Sequence, residues 1–210
     1  MRARARGPAA DAHVVRRIAG DWGKMERKPT KVEIAAAVGA TVPDLIAPQL
    51  AVLFCGINPG LYSGATGHHF ARPGNRFWPT LHAAGFTDRQ VPPWEEKRLL
   101  EYGLGITNLV ARATATAAEL GRDELRAGRS RLERKVRRFR PRAVAVLGIG
   151  AYRLAFHQPR AAIGRQAASF GEAVLWVLPN PSGLNANHQL PDLVRVFGEL
   201  RAHVGRRHAG

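Results

Sequence analysis

Cysteine is almost absent from the sequence, which contains a single one, Cys55, among 210 residues. One cysteine cannot build an internal disulfide framework or a cysteine-ligated zinc or iron–sulfur site. Long apolar runs are also missing, because none reaches the roughly 18 residues that a membrane-spanning helix needs. Acidic residues are scarce: 16 Asp and Glu stand against 32 Lys and Arg, which gives a formal net charge of +16. We therefore expect no disulfide scaffold, no membrane span and a buried, inert thiol at Cys55.

The excess of positive charge favours nucleic acid as the partner, since a basic field attracts phosphates and releases their condensed counterions. Residues 1–30 alternate Arg and Lys with small residues, and we expect a basic, disordered arm there. A nonspecific tether for DNA is the functional alternative, and it is compatible with disorder. One folded domain is expected over residues 31–205. The basic start lacks the apolar stretch of a secretory signal, and we therefore expect a cytoplasmic protein.

Continuous apolar runs and amphipathic stretches alternate along the chain. The runs predict buried strands at residues 51–57, 105–110, 143–147 and 173–178. The amphipathic stretches predict helices at about 75–85, 95–102, 123–139 and 192–204. This alternation favours an α/β fold, a three-layer α/β/α sandwich around a mostly parallel central sheet of about four or five strands. Ligands bind such sheets at the carboxyl ends of the strands, so the loops there are the places to look for a site.

A glycine-rich loop, residues 56–75, follows the first predicted strand and begins with Gly-Ile-Asn-Pro-Gly. Its glycines let backbone approach a ligand closely. Asn58 is interpreted either as a turn former or as a carboxamide that holds a water molecule. Phe70 is either an ordinary core residue or a platform for a planar base, and such stacking contributes about 1–3 kcal/mol per base.

A proline loop, residues 179–188, follows the last predicted strand and reads Pro-Asn-Pro-Ser-Gly-Leu-Asn-Ala-Asn-His. Ser182 and nearby backbone N–H groups can bind a phosphate. Leu184 stands among polar residues with no evident core partner. It is interpreted either as a packed loop leucine or as an apolar wedge that enters a base stack when a nucleotide leaves it.

Other features are weaker signals. The adjacent His68 and His69 favour contact with solvent or phosphate over a metal site. The run at 148–150 is an incomplete nucleotide-phosphate motif. No lysine occurs in either loop, which argues against a Schiff-base step. The basic stretch 122–142 is interpreted as a solvated helix face, with a DNA-binding surface as the alternative.

Together the two loops resemble the mismatch-specific uracil-DNA glycosylase and thymine-DNA glycosylase family. The similarity extends over about residues 44–204 and rests mainly on the pairing of Gly-Ile-Asn-Pro-Gly with Asn-Pro-Ser-Gly-Leu. The resemblance implies a DNA repair enzyme that flips uracil, or another damaged or mismatched base, out of double-stranded DNA and hydrolyses its N-glycosidic bond. We expect a monofunctional monomer that needs no cofactor and no metal.

The resemblance also implies roles for individual residues. Asn58 would position the attacking water, while Phe70 would stack on the flipped base and bind its edge together with the backbone of Ile57. Gly60 would leave room for a substituent on the pyrimidine, and Asn180 stands where strict uracil glycosylases use a histidine to stabilise the departing base. The remaining implied contacts are Ser63 and Asn108 in the pocket, and Ser182, Gly183, Leu184, Asn185 and Asn187 on DNA.

One position departs from the family pattern. Relatives with the same loop carry an arginine two residues after the inserted leucine, where this chain has Ala186, so we expect weaker selection for the opposing base. Asn58 is not a base at neutral pH, and we expect slow turnover unless a carboxylate such as Asp88 or Glu101 reaches the water. The alternatives are a non-catalytic nucleic-acid-binding protein and an α/β enzyme that cleaves nucleotides or nucleosides.

Overall fold

The computed structural model describes residues 27–205 of the chain. Most of the predicted basic arm, residues 1–26, lies outside the described residues. The helices are α1 (Lys31–Ala36), α2 (Leu61–Thr66), α3 (Phe77–Ala83), α4 (Arg122–Phe139), α5 (Ile149–Ala155) and α6 (Leu190–Gly205), with 3₁₀ helices at Pro93–Tyr102 and Ala117–Glu119. The strands are β1 (Val52–Gly56), β2 (Leu104–Asn108), β3 (Ala143–Leu147), β4 (Gly164–Phe170) and β5 (Ala173–Leu178).

The five strands form one sheet in the order β2-β1-β3-β5-β4. β1 pairs in parallel with β2 and β3, and β3 pairs in parallel with β5. Only β4 runs antiparallel, at the edge beside β5. Helices cover both faces, which confirms the predicted α/β class and the mostly parallel sheet.

Alternate residues of β1 divide the core into two halves. Val52 and Phe54 point into a cluster shared with α3 and α6, where the Phe54 ring stacks on Phe197 with centroids 5.9 Å apart. Leu53 and Cys55 point into the other cluster, against α4 and α5. Burial raises the pKa of the Cys55 thiol, in agreement with the predicted inert cysteine. The sheet is therefore covered on both faces, as continuous apolar strands require.

All four predicted strands are present, and three features were not predicted from the sequence. β4 was missed because its side chains are mostly exposed and lack large apolar residues. The stretch predicted as a helix at 95–102 is a 3₁₀ helix that is interrupted at Glu95, whose φ is −100°. The short helix α2 lies in the segment predicted as the glycine-rich loop, and no element was predicted where the short helices α1 and α5 form. Within residues 27–205, no helix is both long and apolar enough to cross a bilayer.

Candidate active site

A cleft of about 520 Å³ opens at the carboxyl ends of the parallel strands. Its walls include the last residues of β1, β2 and β3, namely Gly56, Asn108 and Leu147. The glycine-rich loop and the proline loop close it from two sides. Predicted site residues that line the cleft are Ile57, Asn58, Gly60, Ser63, Phe70, Asn108, Asn180, Ser182, Leu184, Asn185 and Asn187.

Asn58 is held at the cleft by its amide nitrogen. Nδ2 lies 3.1 Å from the carbonyl oxygens of Pro59 and Arg112, and 2.7 Å from Oγ1 of Thr114. The Thr114 hydroxyl itself donates to the carbonyl of Thr116 at 2.8 Å, so its oxygen receives the Asn58 N–H. Carbonyl oxygens only accept hydrogen bonds, and this fixes which end of the carboxamide is nitrogen.

The anchoring of Nδ2 leaves the carbonyl end of the carboxamide for a ligand. Among residues 27–205, no group donates a hydrogen bond to Oδ1 of Asn58. Asn58 is partly exposed in the cleft. Its Oδ1 is therefore a fixed acceptor that can orient a water molecule or a hydroxyl group without a change of side-chain rotamer.

Phe70 both packs on the core and lines the cleft. Its ring stacks on Phe77 with centroids 4.2 Å apart and an interplanar angle of 29°. The backbone of Phe70 has φ +53°, a left-handed value that is uncommon for a non-glycine residue. A Cβ on Gly56 would lie 3.3 Å from the Phe70 ring and 2.4 Å from Oδ1 of Asn108, so only glycine fits beneath this wall.

Asn108 is oriented by a buried histidine. Nε2 of His69 lies 2.9 Å from the carbonyl oxygen of Pro43, which requires a proton on that nitrogen. Burial lowers the pKa of His69, so the ring is neutral and its Nδ1 accepts. Nδ2 of Asn108 lies 3.5 Å from this Nδ1. The contact turns the Asn108 amide nitrogen towards the histidine.

The two adjacent histidines, predicted to contact solvent or phosphate, are held differently: His69 is buried, whereas His68 is partly exposed. His69 is only 2% exposed, and its backbone N–H donates to Oε2 of Glu96 at 2.8 Å. Nδ1 of His68 pairs with the other oxygen of Glu96 at 3.3 Å. The predicted solvent contact is therefore wrong for His69, because Glu96, on the 3₁₀ helix, binds the loop one residue before Phe70.

The proline loop is braced internally. Oδ1 of Asn180 accepts the backbone N–H of Ser182 at 3.0 Å, which leaves the Asn180 amide nitrogen as the donor at the cleft. Nδ2 of Asn185 donates to the Asn180 carbonyl oxygen at 2.9 Å, and Oδ1 of Asn185 accepts the N–H of Asn187 at 3.1 Å. Both polar atoms of the Asn185 side chain therefore form hydrogen bonds within the loop, whereas Asn187 is exposed.

Leu184 is 69% exposed at the rim of the cleft, so its interpretation as a packed loop leucine is wrong. Gly183 does not line the cleft but is sterically required. A Cβ there would lie 2.5 Å from the carbonyl oxygen of Gly74, where the two loops meet. Ala186 is exposed and brings no charge to this rim.

No Asp or Glu of the described chain lines the cleft. Asp88 instead accepts a hydrogen bond from the Tyr102 hydroxyl, which lowers the pKa of its carboxyl group. Glu101 is exposed and also lies outside the cleft. Residues 27–205 contain no group of three or more side chains suited to a metal ion.

Sequence reasoning missed three residues that organise the site: Thr114, Glu96 and Arg76. Thr114 follows β2, so the rule that ligands bind at carboxyl strand ends pointed to its loop. That loop, residues 109–117, has no glycine or proline and drew no attention. Glu96 and Arg76 act on segments far away in the sequence, and no local pattern indicates such contacts.

A basic α/β domain with a cleft at the carboxyl edge of its sheet has the architecture of an enzyme that binds a ligand across its strand ends. A sequence model of the Uracil DNA glycosylase superfamily matches residues 43–201, and the chain belongs to this superfamily. It is therefore a DNA glycosylase, a hydrolase of base excision repair that acts on DNA.

Proposed function

We propose that the chain is a uracil-DNA glycosylase of the mismatch-specific and thymine-DNA glycosylase type, with relaxed selection for the base opposite the lesion. It flips uracil out of duplex DNA and hydrolyses the N-glycosidic bond, which leaves an abasic site. The observation that carries the proposal is the anchored carboxamide of Asn58, whose Oδ1 is a fixed acceptor in the same cleft as the Phe70 ring. Hydrolysis of an N-glycosidic bond requires an oriented water molecule and a stacked base in the same cleft.

Cleavage develops negative charge on the departing base and positive charge on the sugar. Backbone N–H groups of the glycine-rich loop stabilise the anionic base in the way of an oxyanion hole. The DNA phosphates stabilise the cationic sugar. The Asn180 amide nitrogen is a further donor at the cleft and takes the place of the histidine of stricter relatives.

Extrusion of the nucleotide costs a few kcal/mol and is cheapest at a mismatch. Leu184, exposed at the rim, fills the gap that the flipped nucleotide leaves. A Cβ added at Gly60 would meet nothing within 4 Å, so this position offers space for bases with substituents. We therefore propose a broad range of damaged or mismatched bases in addition to uracil.

The reaction is monofunctional and slow. No lysine among residues 27–205 lines the cleft, so no amine is available there for a Schiff base. Asn58 orients the water but does not take its proton, and the cleft walls described above include no carboxylate. General base catalysis typically raises the rate by 10²–10⁴-fold, and we expect cleavage at this site to be slower by roughly that factor.

The test uses a duplex with one uracil opposite guanine, followed by alkaline cleavage of abasic sites. Strand breaks with the full chain, lost in Asn58→Ala, support the proposal. Gln158→Ala is the control, because it removes an exposed carboxamide outside the cleft and should retain activity. Binding without breaks would establish a non-catalytic DNA-binding protein instead. Release of base from free nucleosides, but not from DNA, would establish a nucleoside hydrolase.

A further inference from the structure

The guanidinium group of Arg76 lies beneath the proline loop and contacts it at several points. Nη2 donates to the carbonyl oxygens of Ser182 at 2.5 Å and Asn185 at 2.7 Å. Nη1 donates to the carbonyl oxygen of His188 at 2.6 Å and to Oε1 of Gln189 at 3.3 Å. The acceptors of the two terminal nitrogens thus all lie within residues 182–189, three in the proline loop and one directly after it.

These contacts are made without an acidic partner. No carboxylate among residues 27–205 pairs with Arg76, and its Nε is buried with no hydrogen-bond partner. The carbonyl groups that Arg76 binds precede Leu184 in the sequence, at Ser182, and follow it, at Asn185 and His188. Because the guanidinium is planar and rigid, it fixes the spacing of these carbonyls in a way that a single ammonium group cannot.

The backbone around Arg76 joins the same loop. The Arg76 N–H donates to the carbonyl oxygen of Pro181 at 2.9 Å. Gly183 packs so closely on Gly74 that a Cβ would lie 2.5 Å from the Gly74 carbonyl oxygen. Arg76 also precedes the first residue of α3, Phe77, whose ring supports Phe70 at 4.2 Å. One residue therefore connects the stacking wall of the cleft to the loop that carries Leu184.

We infer that Arg76 is a positioning residue that holds Leu184 at a fixed place and height relative to the base pocket before DNA binds. The inference rests on the proposed function and deepens it. A loop that is already ordered loses less conformational entropy when Leu184 enters the base stack. Arg76 therefore acts on extrusion of the nucleotide from a duplex, and it does not act on bond cleavage once the base lies in the pocket.

Arg76→Lys tests this, because lysine keeps the charge but cannot span the separate carbonyls. We expect its single-turnover rate on uracil in duplex DNA to fall by about tenfold or more, as expected for loss of charge-assisted hydrogen bonds. On single-stranded DNA there is no gap to fill, and the rate should change by less than about threefold. Arg165→Lys, at an exposed position on β4 outside the cleft, is the matched control and should behave like the unaltered chain.

Two further measurements separate positioning from a general loss of structure. Fluorescence of 2-aminopurine placed next to the uracil reports unstacking directly, and its rise should be slower in Arg76→Lys. The double variant Arg76→Lys/Leu184→Ala should be no slower on duplex DNA than the worse single variant, since both changes remove the same function. Equal losses on duplex and single strands, or additive losses, would overturn the inference.

A second variant keeps the test decisive if Arg76→Lys does not fold. Gly183→Ala leaves Arg76 intact but pushes the proline loop away from Gly74, and it should show the same selective loss on duplex DNA. If the unaltered chain releases no uracil from any DNA, the proposed function fails. If that chain is active and both variants match it on duplex DNA, only the role of Arg76 fails.

Discussion

The carboxamide nitrogen of Asn58 lies 2.7 Å from the hydroxyl oxygen of Thr114, a residue 56 positions further along the chain. The pairing follows from the sheet, in which Gly56 at the end of β1 is in register with Asn108 at the end of β2. The backbone N–H of Thr114 also donates to the Pro59 carbonyl at 3.2 Å, so the two loops are joined where Asn58 is held. Thr114 is thus one of the three acceptors that fix the orientation of the Asn58 carboxamide.

Replacement of Thr114 by valine should slow base release. Valine keeps the shape of the buried side chain, which is only 1% exposed, but removes one of the three acceptors for the Asn58 amide nitrogen. A hydrogen bond of this kind contributes about 0.5–1.5 kcal/mol, so we expect a single-turnover rate about two- to twelvefold lower. Thr114→Ser keeps the hydroxyl and should retain most of the rate. Equal rates for the valine variant and the unaltered chain would show that Asn58 needs no such anchor.

Asn58→Asp should lower the rate at neutral pH, although a carboxylate can act as a general base. Both carboxylate oxygens accept, and one of them would take the place of Nδ2, 3.1 Å from the carbonyls of Pro59 and Arg112. This repulsion raises the pKa of the new carboxyl group and turns it away from its anchor. Rates measured from pH 6 to 9 on duplex uracil test this expectation. A variant faster than the unaltered chain at pH 7 would contradict it.

The sequence predicts the strands of the sheet interior well because each is an unbroken apolar run. It also predicts two of the loops that line the cleft, the glycine-rich loop and the proline loop, since parallel strands place their carboxyl ends at one edge. It does not predict β4, whose exposed residues carry no apolar signal, or the anchors Thr114, Glu96 and Arg76. These anchors depend on which strands are neighbours, and strand order is not encoded in any local pattern.

Acid should destabilise the fold through His69. Burial lowers the pKa of this histidine below its ordinary value of 6.5, so the unfolded chain binds the proton more readily. The stability that neutral His69 contributes is complete above pH 6.5 and is lost as the pH falls through the lowered folded-state value. Denaturant unfolding at pH 7.5 and at pH 5.5 should therefore show a larger fall in unfolding free energy for the unaltered chain than for His69→Gln. An equal fall in unfolding free energy for the two proteins would show that protonation of His69 does not destabilise the fold.

Selection for the base opposite uracil should be weak because Ala186 offers no hydrogen-bond donor to it. Cleavage of uracil opposite guanine, opposite adenine and in a single strand measures this selection, and activity confined to the guanine mismatch would contradict the prediction. An arginine–guanine contact provides about 1–3 kcal/mol, so Ala186→Arg should raise the guanine-to-adenine rate ratio by about 5- to 150-fold. Ala168→Arg adds the same charge at an exposed site on β4, outside the cleft, and should leave that ratio unchanged. A rise in both variants would mean that added charge, and not contact with the orphaned guanine, is responsible.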